Sequence, residues 1–212
     1  MSLPQTDTVT DRSSPNASKK RRPDWWLMFT KFLSHGTNIA SVAPSSRFLA
    51  RQLIKGIDFD NVKCIVELGA GTGPITAELL KVVKPHTKLI IMERDTDFCN
   101  RLRQRFPQAD IVESDVAKLE EVLDQRSVDK VDHFISGLPL PSFPDELCNT
   151  FLTAMARRLS PDGTFRQLTL MPWVYQRFYR SYFSTVKFNF VPLNIPPSGV
   201  YLCRDFHAKA KV

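Results

Sequence analysis

Several features are scarce in this chain of 212 residues. No run of about eighteen apolar residues occurs, so no segment is suited to span a bilayer as a helix. Cysteine is limited to Cys64, Cys99, Cys148 and Cys203, widely spaced and without a C-x-x-C pair. The four histidines form no cluster beside them, so disulfides and structural zinc are not expected and no metal is assigned. The amino terminus, MSLPQTDTVTDRSSPNASKK, lacks the apolar centre of a secretion signal and reads as a disordered basic lead over residues 1–22. These absences predict a cytoplasmic protein, soluble or peripheral to a membrane, with room for one α/β domain.

Acidic residues are scarce at the two ends. Residues 1–60 carry 9 basic and 5 acidic groups, 61–149 carry 11 and 15, and 150–212 carry 9 and 2. The net charge of +7 is therefore concentrated in the flanks, which suits them to an anionic surface or leaves them as solvated faces. Glycine is scarce too, at eight residues, yet three of them fall in "ELGAGTG", residues 67–73.

Apolar patterning organises the chain. Pro23 opens a helical pattern with Trp25, Trp26, Phe29, Phe32 and Leu33 on one face, and "VAPSSRFLARQLIKG" predicts a second helix capped by Ser45 or Ser46 and closed by Gly56. From residue 61, short apolar runs alternate with helical patterns: strands near 62–68, 88–92, 111–112, 132–136 and 163–170, helices at 74–83, 96–105, 116–124 and 144–158. That rhythm is a parallel sheet wrapped by helices on both faces. Residues 172–183 read as a further helix, and "VKFNFVPL" with "GVYLCRDF" as an antiparallel hairpin at the end of the sheet. The expected units are the lead 1–22, the N-terminal helices 23–57 and an α/β domain 58–212.

The glycine turn lets backbone N–H groups approach a ligand after the first strand, and Glu93, 20 residues past Gly73, is placed to accept from ribose hydroxyls. The spacing is G-x-G-x-G rather than the G-x-G-x-x-G of dinucleotide loops, and Glu67 precedes it. An acid is unwelcome beside a pyrophosphate and welcome beside a cation. S-adenosylmethionine, with a sulfonium and an ammonium, suits this site. Asp115, after the third strand, is suited to the adenine amino group. The cofactor residues expected are Glu67, Gly69, Ala70, Gly71, Gly73, Glu93, Arg94, Asp115, Val116 and Ser136.

On Glu67, Gly69, Gly71, Gly73, Glu93 and Asp115 the chain resembles the class I methyltransferases, over about residues 60–206. The resemblance implies a Rossmann-like, mostly parallel seven-stranded sheet with an antiparallel last strand, and S-adenosylhomocysteine as product. The ribosomal-RNA adenine dimethyltransferases share the glycine motif and a Leu-Pro pair, but hold the flipped base with an asparagine before that pair and an aromatic after it. Here Gly137 precedes Leu138-Pro139 and Leu140 follows, so nucleic acid is not the expected partner. The chain is more similar to the bacterial phospholipid N-methyltransferases, on "PSSR" (44–47), "SGLPL" with Phe143-Pro144, Phe165-x-Gln167-x-Thr169, and Asn194, Pro196, Pro197, Val200, Tyr201 and Arg204. This resemblance implies methylation of an aminolipid headgroup, phosphatidylethanolamine towards phosphatidylcholine, with ornithine lipid as the alternative acceptor. An RNA adenine methyltransferase and a lipid-binding protein that kept the fold are the competing classes.

The same match implies an acceptor site of Gly137, Leu138, Pro139, Gln167, Asn194, Tyr201 and Arg204, with Ser136, Tyr201 and Arg204 as the catalytic candidates. His133 is expected in the core. The run Lys19, Lys20, Arg21 and Arg22 beside Trp25, Trp26, Phe29 and Phe32 has the makings of an interfacial anchor on an anionic membrane, the inner face of the cytoplasmic membrane; a core-packing helix is the alternative. Arg177 and Arg180, interleaved with Trp173, Tyr175, Phe178, Tyr179, Tyr182 and Phe183, suit either a membrane contact or a surface that stacks RNA bases. No stable protein partner is expected.

Overall fold

A computed structural model of the chain describes residues 44–170, 173–192 and 197–207, with only the backbone of 44–46. The basic run 19–22, the aromatic face at Trp25, Trp26, Phe29 and Phe32, and Asn194 lie outside the described residues.

Seven strands form one sheet: β1 (Cys64–Leu68), β2 (Lys88–Glu93), β3 (Asp110–Glu113), β4 (Val131–Ser136), β5 (Leu159–Thr169), β6 (Phe183–Val191) and β7 (Ser198–Phe206). Their spatial order is β3-β2-β1-β4-β5-β7-β6. Strands β1 to β5 pair in parallel, and β7 runs antiparallel between β5 and β6. Among the described residues six α-helices accompany it: α1 (Pro44–Ile54), α2 (Pro74–Leu79), α3 (Thr96–Arg105), α4 (Leu119–Asp124), α5 (Asp145–Arg158) and α6 (Gln176–Arg180). The chain order reverses between β1 and β4, which makes their carboxyl ends a switch point where ligands bind in open α/β sheets.

Alternation along β1 divides the core. Val66 and Leu68 face a cluster with Phe134, Phe151, Phe165 and Tyr201, whereas Ile65 joins Leu49, Leu53, Ile75, Leu79 and Val200 on the other face. Each such side chain, fully buried, contributes about 1.5–3 kcal/mol of transfer free energy. Buried Arg166 on β5 fastens α1 to the second face: its Nη1 donates to the carbonyls of Leu53 and Lys55, both at 2.8 Å, at the end where helix carbonyls lack partners. Burial lowers its pKa to about 10, so it stays charged at neutral pH.

Helix α3 has the span expected because Asp95 caps it, its carboxylate accepting from the backbone of Asp97 and Phe98. Other boundaries differ. Helix α1 begins at Pro44, so Ser45 and Ser46 lie in its first turn rather than before it. The helix expected over 172–183 is reduced to Gln176–Arg180, because Trp173 has φ 54 and Phe183 already belongs to β6, stacked 5.6 Å from Phe165. Tyr179, Tyr182 and Phe183 are buried, which removes half of the supposed aromatic surface from any base-stacking role. No helix among the described residues is long and apolar enough to cross a membrane.

Candidate active site

The first half of the site is the turn from β1 into α2. Gly69, Gly71 and Gly73 have φ of 71, 55 and 80, left-handed conformations that other residues adopt at a cost. Two of them are also close to the protein itself. A Cβ on Gly69 would lie 2.5 Å from Leu138 Cδ2, and one on Gly73 would lie 2.6 Å from Leu102 Cδ2 and 2.9 Å from Phe106 Cε2. Gly137 completes the lock, since a Cβ there would meet the Gly69 carbonyl at 2.9 Å. The bare backbone at Gly69 and Gly73 thus serves the packing of the loop on its neighbours, the tight strand-to-helix turn that such glycines also suit.

Two acids adjoin this loop, and Glu93 holds it directly. Glu93 Oε2 accepts from Gly71 N at 2.8 Å, and its Oε1 accepts from Arg94 N at 2.8 Å and Asp95 N at 2.9 Å. A carboxylate has about four acceptor positions. Three are occupied here, so the acid expected to take two ribose hydroxyls clamps the loop and keeps one position on Oε2. Glu67 is fully buried on β1, with Oε2 accepting from Thr76 Oγ1 at 2.8 Å and Oε1 without a hydrogen-bond partner. Burial pushes its pKa up to about 8, with the Thr76 hydrogen bonds opposing and the charge of Glu93 adding to the rise. Thr76, one helical turn into α2, escaped the motif reading. Asp115 caps the short 3-10 turn Val116–Lys118 by accepting from Ala117 N at 2.9 Å, and its Oδ2 lies 3.3 Å from Arg94 Nη1. Val116 and Ala70 are buried beside these groups.

These residues fit S-adenosylmethionine. An orphaned buried oxygen at Glu67 calls for a hydrogen-bond partner, a nearby positive charge would favour its ionised form, and the Glu93 carboxylate on the same turn repels a pyrophosphate. Asp115 stands at the next carboxyl end of the sheet.

The second half is a lateral row. Met92, Leu68, Ser136, Gln167 and Tyr201 are consecutive register partners across β2, β1, β4, β5 and β7. Ser136 is buried and its Oγ accepts from Leu138 N at 3.2 Å, which shapes the Gly137–Leu138–Pro139 turn. Gln167 Nε2 donates to the carbonyls of Leu138 at 2.8 Å and Leu168 at 2.7 Å, while its Oε1 is buried without a partner. The Tyr201 hydroxyl is likewise buried without a hydrogen bond of good geometry. Burial raises its pKa, and the backbone N–H of Tyr175 pulls the other way.

Arg204 is not brought to this row. It lies three residues along β7 towards the amino ends of the parallel strands, and alternation turns it to the face opposite Tyr201. There its charge helps lower the pKa of His133 to about 4, after burial and Arg166. His133 itself is half-buried, its Nδ1 2.8 Å from Thr164 Oγ1.

Residues 65–163 match a family model described as a methyltransferase domain. The chain is 49% identical over 184 residues to an ornithine lipid N-methyltransferase of Singulisphaera acidiphila, an alignment covering 85% of this chain and 96% of that protein. Among solved structures, the 1,6-didemethyltoxoflavin-N1-methyltransferase of Burkholderia thailandensis, bound to S-adenosylhomocysteine, superposes with a TM-score of 0.61 at 16% identity over 92% of this chain and 94% of that one. The N-methyltransferase NodS of Bradyrhizobium japonicum, also with S-adenosylhomocysteine, gives 0.59 at 13% over 84% and 98%. At these identities the two structures share the fold.

Proposed function

The chain belongs to the class I S-adenosylmethionine-dependent N-methyltransferases, the family of the ornithine lipid enzyme, and on that premise we propose that it methylates the amine of an aminolipid headgroup at a membrane surface. The observation that carries this reading is the 49% identity with the ornithine lipid enzyme, which at 85% of the chain takes in the glycine loop and both Ser136 and Gln167. It favours ornithine lipid as acceptor. Phosphatidylethanolamine is the second acceptor, favoured by the SGLPL, Phe-x-Gln-x-Thr and late PP-x-x-VY motifs.

Bound S-adenosylmethionine supplies a methyl group made electrophilic by its sulfonium. The chain supplies the rest. Glu67, Glu93 and Asp115 offer acceptors to the cofactor's ammonium, ribose and adenine, and the interlocked turns at Gly69 and Gly137 set the two halves of the site against each other. An amine with a pKa near 10 must arrive neutral, at a cost of about 4 kcal/mol at pH 7. The row of Ser136, Gln167 and Tyr201 contains no carboxylate, so nothing in it stabilises the ammonium form against the nucleophile. Orientation of the reacting atoms then lowers the barrier further.

The basic run and aromatic face before residue 34 serve as the membrane anchor in this reading, at up to about 1 kcal/mol per basic residue near an anionic surface. Loss of residues 1–35 is expected to weaken binding to anionic vesicles at least tenfold; undiminished binding would refute the anchor.

The deciding experiment supplies radiolabelled S-adenosylmethionine to the purified protein with vesicles containing ornithine lipid, vesicles containing phosphatidylethanolamine, and RNA. Label is expected in lipid, and more in ornithine lipid. Label confined to RNA would sink the proposal.

A further inference from the structure

We propose that Gln167 Oε1 and the Tyr201 hydroxyl form a neutral acceptor pair that receives the N–H groups of the incoming amine, so that the site grips an unmethylated acceptor and loses hold of it as methyl groups accumulate. The inference rests on the aminolipid reading above. Gln167 and Tyr201 are register partners on adjacent strands, with side chains on the same face of the sheet. Of three buried side-chain atoms without a hydrogen-bond partner among the described residues, one is Glu67 Oε1 in the cofactor half, and the other two are this pair. Such atoms cost free energy until something donates to them, and two on neighbouring strands are a coincidence that a ligand resolves.

The orientation of Gln167 is not arbitrary. The two atoms next to its Nε2 are both carbonyl oxygens, at 2.8 and 2.7 Å, so the amide nitrogen must face them and Oε1 must face away as an acceptor. One of those carbonyls is that of Leu138, in the turn beside the glycine loop, which ties the acceptor pair to the cofactor half. The surroundings are aromatic: the Tyr201 ring is 4.9 Å from that of half-buried Phe188, and Phe188 is 6.1 Å from exposed Trp173. A neutral primary amine has two N–H bonds to give and a lone pair left free to react. A monomethylated amine has one N–H, and a dimethylated amine has none.

Tyr201→Phe separates this role from a structural one. The hydroxyl gives up only a poorly aligned contact with the backbone N–H of Tyr175, so the melting temperature of the full-length protein should stay within about 2 °C of wild type. S-adenosylmethionine affinity, measured by titration calorimetry, should match the wild type. KM for vesicle-borne unmethylated acceptor should rise about tenfold, equivalent to about 1.4 kcal/mol, while kinetics with the dimethylated lipid stay as they are. Gln167→Met should show the same selective loss, with some loss of melting temperature because Leu138 O is freed. Equal loss on both acceptors, unchanged kinetics on both, or weakened cofactor binding in Tyr201→Phe would overturn the pair. Wild-type protein that labels no lipid in the same assay would instead remove the aminolipid reading beneath it.

Discussion

The two halves of the site meet at β4 and are made of different material. On the β1 side, acids and glycines predominate: Glu93 closes on three backbone N–H groups and Glu67 is buried beside Thr76. On the β5 and β7 side the polar groups are an amide and a hydroxyl, set among aromatic rings. On the proposed reading the contrast follows from what each half holds. A cationic donor is attracted by carboxylates, whereas an acceptor amine beside a carboxylate would keep the proton that blocks its lone pair.

The sharpest break of this contrast is Glu93→Ala, which releases three backbone N–H groups and the loop they order. Affinity for S-adenosylmethionine should fall more than about a hundredfold, measured calorimetrically, and an affinity within tenfold of wild type would show that the clamp is dispensable. Gly73→Ala comes next. Its Cβ would press on Leu102 and Phe106 at a φ of 80, so unfolding experiments in denaturant should find a loss of about 1–3 kcal/mol.

Glu67 gives a pH signature. Its pKa is raised on folding, so the native state binds the extra proton and stability falls as pH rises from the ordinary carboxylate range through about 8. His133, lowered to about 4, acts in the opposite sense but has finished above its ordinary value of 6.5. Between pH 6.5 and 8, therefore, cofactor-free protein should lose stability by at most about 1.4 kcal/mol per pH unit on this account. Glu67→Gln should flatten that slope, and an unaltered slope would contradict the burial argument. The smallest effect is expected at Trp173, 61% exposed and outside both halves: Trp173→Ala should leave the melting temperature within about 2 °C and reduce vesicle binding about twofold to fivefold.

The glycine turn and the acids proposed to hold the cofactor are legible as a pattern because their requirements are local. A strand end, a glycine turn, an acid one strand over and a cap on the next helix all lie within about fifty residues of sequence, and each has a spacing that chemistry dictates. The acceptor half joins strands distant in the chain. Gln167 and Tyr201 stand out in the primary structure only through resemblance, since nothing in their neighbourhood announces that one will be locked by Leu138 O and the other left without a well-aligned partner. Arg204 illustrates the difficulty. It is close to Tyr201 in sequence, yet three residues along an antiparallel strand carry it to the opposite face, beside Arg166 and His133.

By itself, then, the sequence determined the strand and helix rhythm, the glycine loop and the order of the acids around it, because hydrophobic period and glycine conformation act over a few residues. Only the tertiary structure decided which polar groups are satisfied and which are not. Hydrogen-bond partners of Glu93, Gln167 and Tyr201 come from register between strands far apart in the chain, and register is set by packing of the whole sheet rather than by any one segment.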